Sequence, residues 1–289
     1  MPLSPEKRYG SVAAGYVQTR PTYPDALFQW LAEIAPARDL ALDVACGNGQ
    51  ATVGVAALFK KVVATDISPD MIEHAPALPN VEYCVAAAEH TELEDDSVDL
   101  ITVGMAVHWF DIAAFTAEAR RVLKPDGVLC AWSYAEPYTN NPAIDAILDR
   151  CAQMIRPYGP RKLQHVWNGY RDLPLLTRGF DVVEPQKFTM HMKRSLEQIV
   201  AYYRTRSSVR AFTEDKGFDP VSELAEALKP LWGQAGDVRD IYWPMAIKVG
   251  RKHDPIATLG KELDALRAIP DDVSTCRTQI PQKNKFNLN

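Results

Sequence analysis

Residues 41–50 read ALDVACGNGQ, a short apolar stretch that contains one acid, Asp43, and runs into a loop with two glycines. The apolar stretch predicts a buried strand, and the residues from Gln50 onward predict a helix. Gly47 and Gly49 let the main chain approach a ligand closely, yet the loop offers that ligand no lysine or arginine. The segment therefore predicts a small-molecule site, and the chemistry of the ligand must be read from the neighbouring residues.

The order of apolar strand and helix is repeated along the first half of the chain. Further strands are predicted in KVVATD, VEYCVA, SVDLITVGM and VLCAWSY, at residues 61–66, 81–86, 97–105 and 128–134. Strands that are apolar on both sides and separated by helices form parallel sheets covered on both faces. With two later strand-like runs, they predict an α/β fold with a doubly wound, Rossmann-like, mostly parallel seven-stranded sheet. Its ligand crevice should lie at the carboxyl ends of the strands.

The pattern changes after about residue 135. Loops rich in Tyr, Arg and Pro separate helical segments, one strand-like run, FDVVEPQKFTM, and a second, IYWPMAIKVG. Pro244 in the second run suits an edge or a bulge, so we expect a regular strand only after it. The predicted organisation is a helical N-terminal cover segment at 1–35, a cofactor-binding core at 36–135, a mostly helical substrate-capping insertion at 136–235, and a final strand, helix and tail at 236–289.

Composition narrows the class of ligand. The 289 residues carry a formal net charge of -5 with no basic run, which argues against nucleic acid. No apolar stretch approaches the roughly 20 residues of a membrane helix, and MPLSPEKRYG lacks the apolar segment of an export signal. The five cysteines form no C-x-x-C pair. We therefore expect a cytoplasmic protein with reduced thiols, no metal site and no membrane or nucleic-acid partner; the sequence does not indicate its oligomeric state.

The glycine loop does not match the motifs that bind phosphates. A P-loop requires Gly-Lys-Ser/Thr, whereas Gly49 is followed by Gln50, Ala51 and Thr52. Thr52 also stands where a dinucleotide-binding loop has its third glycine. NAD remains open as an alternative, because Asp66 stands where a ribose-binding acid is expected.

The acids at the predicted strand ends indicate a cationic ligand. Asp43 would repel a diphosphate but attract an ammonium or sulfonium group, and S-adenosylmethionine carries both. Asp66, at the end of the second strand, can accept hydrogen bonds from both hydroxyls of a ribose. The segment VAAAEHTEL offers small residues and Glu89 for the adenine. Three consecutive strand ends thus meet the requirements of S-adenosylmethionine.

These motifs resemble those of the class I S-adenosylmethionine-dependent methyltransferases. The matching runs are LDVACGNGQ, VVATDISPDMI, AAAEHTELEDDSVDLI and RRVLKPDGVL. The runs YVQTRPTYP and AVHWFD further resemble the branch that contains trans-aconitate methyltransferase. The resemblance implies a set of cofactor-binding residues, which are Tyr16, Arg20, Asp43, Gly47, Gly49, Gln50, Asp66, Ile67, Met71, Ala88, Glu89, Gly104 and Met105.

Individual roles follow from the same resemblance. Ile67 and Met71 would enclose the adenine, and the main-chain amides of Ala88 and Glu89 would bind its edge. Gly104 and Met105 would pass under the methionine amine. Tyr16 and Arg20 would close over the cofactor, with Arg20 paired to its carboxylate. One departure is Ala87, where many relatives have Asp, so the side-chain contact to the adenine amine is missing unless Glu89 supplies it.

Catalytic residues are harder to assign. His108 and Trp109 follow the fourth strand, and we predict them on the acceptor side, although such residues are equally common in cores. A carboxylate acceptor is already ionised and needs no base, whereas a phenol would need a group such as His108. Several insertion residues can form either an anion site or a solvated face: Tyr202, Tyr203, Arg204, Arg206 and Arg210.

The sequence favours methyl transfer to a small carboxylic acid. The alternatives that stay open are methylation of a phenolic oxygen, nitrogen or carbon, a non-catalytic cofactor-binding module, and an NAD-dependent oxidoreductase.

Overall fold

A computed structural model describes residues 20–176, 179–234 and 236–253. The strands are β1 (Leu40–Val44), β2 (Lys61–Asp66), β3 (Val81–Val85), β4 (Val98–Gly104), β5 (Leu123–Tyr134), β6 (Phe180–Val183), β7 (Thr189–Ser195) and β8 (Val238–Lys252). The helices are α1 (Asp25–Ile34), α2 (Gln50–Ala56), α3 (Pro69–Glu73), α4 (Ile112–Val122), α5 (Pro142–Ile155), α6 (Leu163–Trp167), α7 (Leu196–Arg204), α8 (Ser207–Lys216) and α9 (Pro220–Trp232), with 3-10 turns at Val107–Trp109 and Arg156–Tyr158.

Parts of the predicted organisation fall outside these ranges. Most of the N-terminal cover segment, including Tyr16, lies before residue 20, and the predicted C-terminal helix and tail begin at Asp254. None of the described helices has the length and apolarity needed to cross a bilayer.

The sheet has the predicted doubly wound, mostly parallel order. Its strands lie in the order β3-β2-β1-β4-β5-β8-β6, and β7 pairs with β8 off this path. The first five are parallel, and β8 runs antiparallel to β5, β6 and β7. The α/β fold class is confirmed, and the described residues form eight strands where seven were predicted, seven along the main path and β7 off it. The extra strand arises because the run FDVVEPQKFTM is interrupted around Pro185, which has no N–H to donate to a ladder. β6, within the predicted capping range, therefore belongs to the main sheet.

The prediction that the strand is regular only after Pro244 is wrong, because β8 continues through this residue. The strand is paired on both sides of this residue, with β7 before it and with β5 from Met245 onward. The missing N–H of proline falls where the strand changes partners. The Pro244 carbonyl accepts a hydrogen bond from Ala135 N at 2.9 Å, and Met245 N donates to Phe188 O at 3.0 Å. A proline is tolerated at this point because no ladder hydrogen bond is lost.

Adjacent strand residues pack into different layers. Ala41 and Leu100 join a core with Leu27 of α1, while their neighbours Leu42 and Ile101 join a second core. This alternation explains why the strands are apolar throughout. A third core joins α5, α7, α8 and α9 with β7 and the first half of β8. Residues of α5, α7 and α8 line one cavity together with Ala135 and Glu136, which follow β5. The predicted insertion therefore lies at the carboxyl ends of the strands.

The position of α2 depends on Gly54. A Cβ atom at this position would overlap the ring of Phe28, which is buried in α1. We therefore expect Gly54→Ala to lower the free energy of unfolding by about 1–3 kcal/mol through overpacking, although alanine is the better helix former by roughly 1 kcal/mol. Urea unfolding measures the difference.

Val53→Ala is the matched control, because Val53 lies in the same helix and is 47% exposed. Its effect should stay within about 0.5 kcal/mol. A Gly54→Ala protein as stable as the wild type would contradict the packing described for α1 and α2.

Candidate active site

Asp43, near the end of β1, is almost completely buried and is held by two hydroxyl groups. Its two carboxylate oxygens accept hydrogen bonds from Thr52 Oγ1 at 2.6 Å and Thr102 Oγ1 at 2.7 Å. Burial raises the pKa of Asp43 to about 6, although both hydroxyls favour the ionised form. Thr52 stands where a dinucleotide-binding motif has its third glycine, and its hydroxyl instead donates a hydrogen bond to the Asp43 carboxylate.

Asp66, the last residue of β2, fixes the glycine loop. Its carboxylate accepts hydrogen bonds from Gly47 N at 2.8 Å and Ser68 N at 2.9 Å. Burial raises its pKa, and the main-chain hydrogen bonds oppose that shift. Because β1 and β2 are parallel neighbours, both acids line one cavity.

The glycines give the loop its shape. Gly47 and Gly49 have φ of +56° and +82°, in the left-handed region that favours glycine. A Cβ atom on Gly47 would stand 3.1 Å from Met71 Cε, so a side chain would also crowd the cavity wall. Gly49 does not line the cavity; it is the N-cap of α2.

The cavity next to these acids has a volume of ≈ 260 Å³. The predicted site residues that line it are Asp43, Gly47, Gln50, Asp66, Ile67, Met71, Ala88, Glu89, Gly104, Met105 and Trp109. It is also lined by residues that the sequence did not indicate, including Tyr23, Ser68, Phe110 and Tyr134. Tyr134 ends β5, so the rule that ligands bind at strand ends could have found it.

These side chains fit S-adenosylmethionine. Two carboxylates match a cation and a diol, and Ile67 is 45% exposed although it is apolar, as expected of a wall for a flat ring. Ser68 Oγ is buried and has no hydrogen-bond partner among the described residues. Glu89 accepts a hydrogen bond from Asp111 N at 2.8 Å, which holds its carboxylate at the cavity beside Ala87. The individual contacts to the cofactor stay predictions.

A second cavity of ≈ 290 Å³ adjoins the first and shares Met105, Trp109 and Tyr134 with it. The structure differs from the prediction for Arg20, which lines this second cavity and not the first. Its Nη1 donates to Tyr134 Oη at 3.3 Å, at the boundary between the two cavities. The charged residues of the second cavity are Arg20, Arg156, Arg204, Arg206, Arg210 and Glu136.

Burial divides the insertion residues, which were predicted as an anion site or a solvated face, into two groups. Tyr202 and Tyr203 are buried, and the Arg206 guanidinium lies 5.1 and 4.6 Å from their ring centroids. Arg206 donates to both oxygens of Glu136, at 3.0 and 2.6 Å. Burial alone would raise the pKa of Glu136, but the charge and the hydrogen bonds of Arg206 favour the ionised carboxylate and lower this pKa below its ordinary value. Arg204 and Arg210, by contrast, have exposed side chains.

His108 lines the second cavity and is only 4% exposed. Its Nδ1 lies 3.0 Å from Tyr170 Oη, and its ring centroid is 4.7 Å from that of Trp109. Burial, with smaller effects of His165 and Lys162, lowers the pKa of His108 to about 3, so the ring is neutral at physiological pH. Tyr170 was not indicated by the sequence, because it is 62 residues away in the chain.

A family model and two long matches to known proteins are named as methyltransferases. A family described as "Methyltransferase domain" matches residues 42–131. A Dictyostelium discoideum protein named as a methyltransferase is 31% identical over 258 residues, which cover 87% of this chain and 97% of that protein. A solved structure from Anaeromyxobacter dehalogenans, named as a type II methyltransferase, is 39% identical with a TM-score of 0.76, over 81% of this chain and 98% of that one.

One shorter match has a more specific name. A malonyl-[acyl-carrier protein] O-methyltransferase of Dechloromonas aromatica is 35% identical over 132 residues, which cover 41% of this chain and 48% of that protein. The two longer matches extend well beyond residues 42–131.

The role predicted for Asp66 can be tested by binding. Replacement by Ala removes the acceptor for the ribose hydroxyls, so S-adenosylmethionine should bind about 1–3 kcal/mol more weakly in calorimetry. Asp70→Ala is the control, because Asp70 is exposed and lies in the next helix turn. Equal affinity of the Asp66→Ala protein and the wild type would refute the ribose assignment.

Asp43 should couple stability to pH. Its pKa of about 6 in the folded protein exceeds the ordinary 3.8, so its stabilising contribution is present below about pH 4 and is lost as pH rises through 6. Relative to Asp43→Asn, the wild type should lose about 2 kcal/mol of unfolding free energy between pH 4 and 7. Urea unfolding of both proteins across this range measures the difference.

A bound cation should reverse the preference for the protonated form. The affinity of the wild type for S-adenosylmethionine should therefore fall as pH drops below about 6, and that of Asp43→Asn should not. A pH-independent difference in stability between the two proteins would contradict the raised pKa.

Proposed function

Because the chain belongs to the class I S-adenosylmethionine-dependent methyltransferases, we propose that it methylates a carboxylate oxygen of a small organic acid. The observation that carries this proposal is the charge of the second cavity. Among the described residues, five arginines line it against one acid, Glu136, and that acid is paired with Arg206. A small anion is the ligand that such a lining attracts.

The state of His108 supports the same acceptor. A phenol has a pKa near 10, and a base whose pKa is about 3 would take up its proton only at a large free-energy cost. A carboxylate is ionised at neutral pH and needs no base. Within the part of the chain that the structure describes, no other histidine lines the second cavity. The low basicity of His108 therefore favours a carboxylate over a phenol.

The chemistry needs little from the protein beyond binding and alignment. When bound, S-adenosylmethionine supplies a methyl group on a sulfonium sulfur, and the positive charge disappears on transfer. Asp43 and Asp66 provide negative charge on the cofactor side, and the arginines hold the anion on the other side. Met105, Trp109 and Tyr134, which line both cavities, form the boundary at which the two ligands meet. Such alignment can contribute about 7–11 kcal/mol to lowering the barrier.

Further support comes from the resemblance to the trans-aconitate methyltransferase branch in YVQTRPTYP and AVHWFD, and from the relative named as an O-methyltransferase. The proposal includes a cytoplasmic location and excludes nucleic acid and membranes as partners. The acid itself is left open.

The bond that is formed gives a direct test. The protein is incubated with methyl-labelled S-adenosylmethionine and panels of carboxylic acids, phenols and amines. We expect the label in products of the acids, and mild alkali should release it as methanol, because methyl esters hydrolyse under conditions in which methyl ethers and N-methyl groups are stable. Label that resists alkali would support the alternative acceptors, phenolic oxygen, nitrogen or carbon, and would refute the carboxylate.

A catalytically inactive cofactor-binding module gives a different result. It would bind S-adenosylmethionine in calorimetry but transfer no label to any compound in the three panels or in a metabolite extract.

A further inference from the structure

Two buried nitrogen atoms of the second cavity's lining residues lack hydrogen-bond partners. They are His108 Nε2 and Arg156 Nε, and within the described ranges no protein group accepts from or donates to either. An unpaired buried donor costs folding free energy, so its persistence in a cavity indicates a ligand that pairs with it. The guanidinium group of Arg156 lies 5.0 Å from the ring centroid of Trp167, and this contact holds the side chain in place.

The contact with Tyr170 decides which nitrogen of His108 carries the proton. Tyr170 is completely buried, and its hydroxyl lies 3.0 Å from His108 Nδ1. If Nδ1–H donated to Tyr170, the hydroxyl proton of Tyr170 would be buried without an acceptor. If Tyr170 donates to Nδ1, its proton is satisfied and the imidazole proton must be on Nε2. The second arrangement leaves only the Nε2–H group unpaired, and an anion in the cavity can satisfy it.

We propose that Tyr170 fixes His108 as the neutral tautomer with its proton on Nε2, and that this N–H and the Nε–H of Arg156 form an anion subsite for the acceptor. The inference rests on the proposed function and deepens it, since His108 becomes a hydrogen-bond donor and not a base. A hydrogen bond withdraws electron density from the oxygen that accepts it. The subsite therefore suits the carboxylate oxygen that does not receive the methyl group.

The surroundings keep His108 neutral. Lys162, which donates to Trp109 O at 2.8 Å, and His165, which is paired with Asp172 at 2.8 Å, are the charged or titratable neighbours that act on it. Both disfavour a positive charge on His108, as burial does. A neutral donor in the same cavity lining as Arg156 binds an anion without the cost of burying a second cation.

Nuclear magnetic resonance tests the tautomer without any acceptor. In the full chain labelled with ¹⁵N-histidine, the His108 signals are assigned as those missing from His108→Gln among the six histidines. We expect a protonated Nε2 and an unprotonated Nδ1 that do not titrate between pH 5.5 and 8. In Tyr170→Phe, this preference for one tautomer should weaken. A proton on Nδ1, or ionisation of His108 near pH 6.5, would overturn the proposal.

Kinetics with the acid found in the labelling screen test the donor role. Glutamine can place an N–H near the position of Nε2, whereas asparagine reaches only the position of Nδ1. We expect His108→Gln to keep kcat/KM within about threefold of the wild type, and His108→Asn to lose roughly ten- to a hundredfold. Equal losses in both folded variants, or a bell-shaped pH profile that His108→Gln abolishes, would contradict a donor and indicate a base.

The Arg156 half of the subsite has its own control. Arg156→Gln should raise KM for the acid about tenfold or more and change kcat little. Arg150→Gln should leave both unchanged, because Arg150 is exposed in α5 and does not line the cavity. Unchanged KM in Arg156→Gln would remove Arg156 from the subsite. If no acid is methylated, the proposed function fails, whereas the tautomer measured by resonance still decides the role of Tyr170.

Discussion

The rest of the site depends on two carboxylates that are buried at the ends of neighbouring parallel strands. Asp66 accepts hydrogen bonds from Gly47 N and Ser68 N, and Asp43 accepts from Thr52 and Thr102. These contacts fix the glycine loop, the start of α2 and β4 around one cavity. The same burial raises the pKa of both acids, so the free protein carries negative charge at an energetic cost. A cation in the cavity relieves that cost, which makes loop geometry and ligand charge parts of one arrangement.

The two cavities carry opposite charges. The acids belong to the lining of the first and the arginines to that of the second, with Met105, Trp109 and Tyr134 between them. These charges attract a cationic ligand to the first cavity and an anionic ligand to the second. If the acceptor is the proposed carboxylate, electrostatics would therefore separate it from the cationic cofactor before any shape-specific contact is made.

The sequence predicted what is encoded locally. Alternation of strands and helices predicted the parallel sheet, acids at strand ends predicted Asp43 and Asp66, and the resemblance to a known family predicted most of the other residues that line the first cavity. Contacts between distant segments were missed, such as Tyr170 with His108 and Arg206 with Glu136, because no spacing rule relates residues 60 to 70 positions apart. Arg20 was predicted from its motif to contact the cofactor, and the structure places it in the lining of the second cavity. Pro244 was misjudged because a local rule about missing N–H groups cannot show that a strand changes partners there.

Net charge and available donors separate the arginines of the second cavity. Arg206 donates hydrogen bonds to Glu136 and to Tyr202 Oη. Because the Glu136 carboxylate balances its charge, Arg206 rigidifies the lining of the second cavity but adds little to the positive potential there. Arg204 and Arg210 are exposed, and water and salt screen them. For the proposed carboxylate acceptor, recognition would then fall mainly on Arg156, whereas Arg20 contacts Tyr134 at the boundary between the cavities. In that proposal the number of arginines sets the sign of the ligand charge, and the geometry of Arg156 sets its position.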